Sequence, residues 1–162
     1  MHATVTKLEI IQEIEREFPV DPICFELLPL KSNYDETPND ILDIFFGKKW
    51  IEISLQDWSM LGSSIKLSSN YFTPESFVYF IPSILKESIL SGDFQYAMDA
   101  LVPNNEKLAA RSEWWKEYIS ILTTNQKQLI IKIFFYINEV GEIGDSPQIE
   151  AAIALRKNFY IG

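Results

Sequence analysis

Four carboxylates, Asp35, Glu36, Asp40 and Asp43, fall within nine positions that contain no basic residue. Such a group has two chemical uses. Its oxygens suit a hard divalent cation, or neighbouring carboxyls can divide an acid and a base role between them. The spacing specifies neither: a calcium-binding loop needs a glycine at its centre and a glutamate at its end, and both are missing here. The placement also has a structural explanation. Asp35 and Glu36 precede Thr37-Pro38, and Asp40 lies in the first turn of the helix that this pair starts, where negative charge is stabilised by about 0.3–1 kcal/mol. What remains is contact with a basic partner, for which Asp35, Glu36, Asp40 and Asp43 are the acidic candidates.

Other catalytic equipment is sparse. His2 is the sole histidine and adjoins the first residue, so Ser-His and Cys-His arrangements lack a positioned base and a histidine-bearing zinc site lacks ligands. Cys24 is the sole cysteine, which excludes an intrachain disulfide and a cysteine-built metal cage and fits a reducing compartment. The glycines do not form a phosphate-cradling loop; Gly141-Glu142-Ile143-Gly144 comes nearest and is better read as a helix-ending turn. No catalytic residue, cofactor or metal ligand is therefore assigned.

Aromatic residues supply a second kind of candidate. Trp114 and Trp115 point about 100° apart on a helix, so one can enter the core while the other sits at its margin. Trp115 continues an apolar stripe, which leaves Trp114 as the exposed one and a candidate interface anchor. Trp58 and Tyr71, in a polar connecting region, have the same ambiguity, and Trp58 joins Trp114 as a partner-binding candidate.

The 14 basic and 23 acidic residues give a net charge of −9. Through Ile81 the count is 6 basic and 13 acidic, net −7; beyond it 8 basic and 10 acidic, net −2. This balance argues against a nucleic-acid partner, whose phosphates require Lys and Arg, and against an anionic membrane surface. A basic protein partner is attracted instead, above all by the first half. The first ten residues lack the basic start and apolar run of a secretory signal, and no apolar stretch approaches the ~20 residues that span a bilayer. The expected location is cytoplasmic.

These side chains must be positioned by helices, whose starts are legible. Thr37-Pro38, Thr73-Pro74 and Ser146-Pro147 each put a capping oxygen before a proline, and Thr6 with Glu9 and Thr123 with Gln126 have capping-box spacing. Periodicity predicts helices over residues 6–18, 38–46, 74–90, 105–122, 125–140 and 147–160, with a shorter one after Asp93 and a helical turn over 55–61 carrying Trp58. The 74–90 segment is apolar nearly all round, as a central helix should be, and Pro82 is expected to bend it. Residues 20–36 read as an irregular connection with room for a short strand. Trp50-Ile51-Glu52-Ile53-Ser54 alternates with a period of two and is the best strand candidate.

The run Trp50-Ile51-Glu52-Ile53-Ser54, Trp58, the segment Phe72-Thr73-Pro74-Glu75-Ser76-Phe77-Val78-Tyr79-Phe80-Ile81-Pro82, and Leu122-Thr123-Thr124-Asn125-Gln126-Lys127 ahead of Leu129 to Ile137 together resemble a bacterial family defined only as a domain of unknown function. The resemblance spans residues 37–140. It implies a bacterial source and a small helical protein, and carries over no catalytic residue. Small acidic bacterial proteins of this kind include immunity proteins that neutralise a cognate toxin.

The expectation is thus a mainly α protein, residues 1–162 forming a single helical domain, an irregular bundle of about seven helices with at most a minor short β element. The expected function is a non-catalytic protein-binding module, of immunity or accessory type, that occupies a basic partner surface, with no cofactor, nucleic acid or membrane. The alternative is a carboxylate-dependent enzyme using a divalent cation.

Overall fold

The computed structural model describes residues 6–29, 33–61, 69–101, 113–140 and 147–161, with side chains in the last helix described for 153–160. The helices, in chain order, are α1 (Lys7–Glu17), α2 (Thr37–Phe45), a 3₁₀ turn (Trp50–Glu52), α3 (Leu55–Ser59), α4 (Pro74–Ser91), α5 (Gln95–Ala100), α6 (Glu113–Ile121), α7 (Thr124–Val140) and α8 (Pro147–Ile161). The fold is mainly α, as expected, and no strand forms among the described residues.

α4 is the hub because its sequence leaves it almost no polar face: Phe77, Val78, Phe80, Ile81, Ile84, Leu85 and Ile89 are all buried. The Thr73 hydroxyl accepts from the Ser76 N–H at 3.3 Å, Pro74 supplies the preset first turn, and Gly92 ends the helix at φ 78°, where a side chain would be strained. α1, α3, α5, α6 and the 3₁₀ turn pack around α4, while α7 packs on α1 and carries α8. Pro82 lies within α4 without ending it, so the Val78 carbonyl is left without its usual helical donor.

The predicted strand at 50–54 is not one. Residues 50–52 wind into the 3₁₀ turn, with the Ile53 N–H donating to the Trp50 carbonyl at 3.2 Å and the Lys49 N–H to Glu52 Oε1 at 3.2 Å. Among the described residues no extended neighbour pairs with it, and the Trp50 N–H donates instead to the Tyr79 hydroxyl at 3.2 Å. Ile51 is 52% exposed and Ile53 only 3%, which breaks the period of two. Among the described residues strand-like pairing is confined to one antiparallel bridge, Leu27 with Phe72, flanked by Leu28 N–H to Tyr71 C=O at 2.7 Å and Thr73 N–H to Glu26 C=O at 3.1 Å. It ties the 20–28 connection to the segment that leads into α4.

Capping follows the expected chemistry in part: Thr6 accepts from the Glu9 N–H without the return bond of a full box, and Phe94 rather than Asp93 is the cap of α5. Thr123 and Gln126 form the full reciprocal box, at 3.1 and 3.0 Å, and Gln126 also donates to the Glu17 carbonyl, joining α7 to the end of α1. At α2, however, Thr37 is the first helical residue and not the cap; its N–H donates to Asp35 Oδ1 at 3.0 Å. At the far end of the bundle Tyr160 donates to the Leu101 carbonyl and pairs with the Tyr118 hydroxyl at 2.9 Å, all of it buried. The predicted helix over 105–122 is described from Glu113 onward; its first part, the Gly141 turn and the Ser146 cap lie outside the described residues.

Candidate partner-binding surface

The six candidate residues do not share one surface. Trp58 is corrected from a partner anchor to a core residue: it is 1% exposed, its ring meets Phe45, Phe72 and Phe77, and its Nε1–H donates to Ser83 Oγ at 2.7 Å. The polar stretch around it concealed this, because α3 is a single capped turn that drives one face straight into the α4 ring cluster. Trp114 is half-buried rather than fully exposed. Its Nε1–H donates to the Phe72 carbonyl at 2.7 Å and its ring stacks on Tyr118 at 5.8 Å, while Trp115 is buried as its stripe position demanded. Packing at the rim accounts for Trp114.

Asp35 is likewise engaged inside the protein. It accepts from the Tyr71 hydroxyl at 2.6 Å and from the Thr37 N–H, and these two bonds, Tyr71 first, hold its carboxyl below the usual range. Asp35 therefore anchors the start of α2 to the segment before α4.

Glu36, Asp40 and Asp43 are exposed. The ion pairs among the described residues are Arg16–Glu17, Lys49–Asp21, Lys86–Glu15, Lys116–Glu113 and Lys132–Glu13, so none of them involves these three acids. α2 buries Ile41 and Phe45 against the core and keeps Ile44 partly covered. At about 100° per residue the opposite arc carries Leu42 and Phe46 on one side, Asn39 between, and Asp43, Glu36 and Asp40 on the other. Leu42 is 41% exposed and Phe46 71%, with the Phe46 ring edge-on to Phe25 at 6.2 Å. Leu42 and Phe46 belong to the surface yet were not among the sequence candidates. The signal was present, since five apolar residues between positions 41 and 46 exceed what one buried stripe can hold.

A cleft of about 340 Å³ between α1 and α7 is lined by Glu13, Arg16, Asn125, Gln128 and Lys132, but its charges are already joined in the Lys132–Glu13 and Arg16–Glu17 pairs. A smaller one of about 170 Å³ lies among Pro19, Pro22, Val78 and Tyr79. Among the described residues the nearest approach to an acid/base couple is Glu75 with Glu117, where the neighbouring Glu75 carboxylate raises the Glu117 pKa. Neither residue lines either cleft. The Cys24 thiol is pushed up by burial first and then by Glu75 and Glu26, the wrong direction for a nucleophile. Among the described residues no cluster of three or more His, Cys, Asp or Glu side chains is placed to hold a metal ion, and no helix is long and apolar enough to cross a membrane.

No family model matches the chain, and no curated protein or solved structure is found to be similar to it.

Proposed function

We propose that this chain is a non-catalytic protein-binding module that meets a basic surface of its partner through the exposed face of α2, in the manner of an immunity or accessory protein. One observation carries the reading: on a single short helix and its two caps, the exposed acids Glu36, Asp40 and Asp43, in no described ion pair, lie beside exposed Leu42 and Phe46. Acids of this kind steer a basic partner and accelerate encounter, and apolar side chains that become desolvated hold the complex once formed. The net charge of −9 acts in the same sense. The bacterial family resemblance over residues 37–140 and a cytoplasmic setting belong to the same proposal.

The test is calorimetric titration of the protein against the basic products of its flanking genes, at low and at raised salt. A complex is expected whose affinity falls as salt rises and falls again in the double variant Asp40→Lys, Asp43→Lys. A complex indifferent to both changes removes the reading.

A further inference from the structure

We infer that the element received by α2 is a basic amphipathic α-helix of the partner, its apolar residues over Leu42 and Phe46 and its Lys or Arg residues over Asp43, Glu36 and Asp40. The inference rests on the proposed function and specifies the partner. Leu42 and Phe46 are four apart, and Glu36, Asp40 and Asp43 follow at steps of four and three, so each set forms a strip along the helix axis. The acidic strip covers residues 36–43 and the apolar strip residues 42–46, from the N-cap Glu36 to the C-cap Phe46 of α2, so the two lie on adjacent lines and meet at Leu42 and Asp43 within about 15 Å of helix axis. A rod bearing the same two strips with opposite charge is a second helix, whose own residues at i, i+3, i+4 and i+7 fall on such lines. An extended peptide turns successive side chains to opposite sides and gains affinity mainly from a free sheet edge, which this surface lacks. A second copy of this chain fits no better, because it would set the same acids against each other.

The experiment uses two synthetic peptides of equal length and identical leucine–lysine composition. One is ordered as an amphipathic helix, and the other is permuted so that no helical face is apolar. Each is titrated at low salt into the isotopically labelled full chain while backbone amide shifts are followed. The expected result is that the amphipathic peptide shifts Asn39, Leu42, Asp43 and Phe46 and binds about tenfold more tightly than the permuted one, the difference that burying one or two apolar side chains produces. Leu42→Ser with Phe46→Ser should erase that preference, and Asp40→Lys with Asp43→Lys should weaken both peptides. Unchanged amide shifts away from α2 establish that the variants fold. Equal binding of both peptides to α2 overturns the helix inference and leaves the acidic-surface reading standing. Binding mapped elsewhere, or left intact by the lysine variant, overturns both.

Discussion

Replacing Tyr160 by Phe removes a single oxygen, yet that oxygen serves two buried partners at once. The Tyr160 hydroxyl donates to the Leu101 carbonyl, and because its proton is committed there, Tyr118 must be the donor in the 2.9 Å contact between the two hydroxyls. Burial pushes both phenols well above their ordinary pKa, so they remain neutral donors throughout the physiological range. Tyr160→Phe therefore strands the Tyr118 O–H and the Leu101 carbonyl, at about 1–3 kcal/mol each, or about 2–6 kcal/mol together. Tyr118→Phe removes only a donor to an oxygen whose own proton stays bonded, and should cost about 0.5–1.5 kcal/mol. In the double variant the Tyr118 orphan no longer exists, so its loss should not exceed that of Tyr160→Phe alone. Urea unfolding gives the three free energies directly, and a thermal scan should register about 2–4 °C per kcal/mol in a chain of this size. Equal costs for the two single variants, or a double variant destabilised by their sum, would refute the assigned direction of donation.

The surface variant Asp40→Lys, Asp43→Lys should leave unfolding within about 1 kcal/mol of the parent, because neither carboxylate takes part in a described ion pair and the helix-dipole stabilisation lost at Asp40 in the first turn is offset by the gain at position 43 in the last turn; a larger loss in urea would mean that α2 depends on them. Trp58→Ala should cost about 3–5 kcal/mol by emptying a site among Phe45, Phe72 and Phe77, whereas Trp58→Phe keeps most of the ring and should cost less; similar costs in denaturant titrations would contradict its burial. The lowered Asp35 pKa stabilises the folded state fully above the unfolded carboxyl value of 3.8, and that contribution disappears as pH falls through the folded value. The stability gap between parent and Asp35→Asn should accordingly be constant near neutrality and shrink in acid, and a gap that widened in acid would reverse the sign. Mg²⁺, Mn²⁺ and Ca²⁺ should each leave the melting temperature unchanged in a thermal-shift screen, and a concentration-dependent rise with one of them would restore the carboxylate-enzyme alternative.

Helix existence was legible where the information is local. A threonine before proline at 73–74, or a threonine three residues ahead of glutamine at 123 and 126, satisfies backbone groups within one turn, whatever the rest of the chain does. The segment at 50–54 was misread for the opposite reason. Alternation predicts a strand only if a neighbouring strand exists, and the partner groups of Trp50, the Tyr79 hydroxyl and the Pro19 carbonyl, are separated from it by about thirty residues of sequence. Trp58 and Trp114 were ambiguous because their burial depends on which helix passes beside them. The acidic run was visible at once, but the division of Asp35 from Glu36, Asp40 and Asp43 depended on Tyr71, thirty-six positions away.

The mounting of α2 has a thermodynamic consequence. On its near side Asp35 is held by Tyr71; on its far side Trp50 donates to the Tyr79 hydroxyl of α4, which itself donates to the Val20 carbonyl; beneath, Phe45 sits 4.7 to 5.4 Å from Trp58, Phe80 and Phe72. A helix fastened at both ends and underneath has little freedom left to lose. Docking onto it is then spared most of the ordering entropy that a loose segment would forfeit, about 1–2 kcal/mol for each backbone residue fixed. If α2 is the docking face proposed above, loosening either fastening would weaken binding without altering one atom of that face.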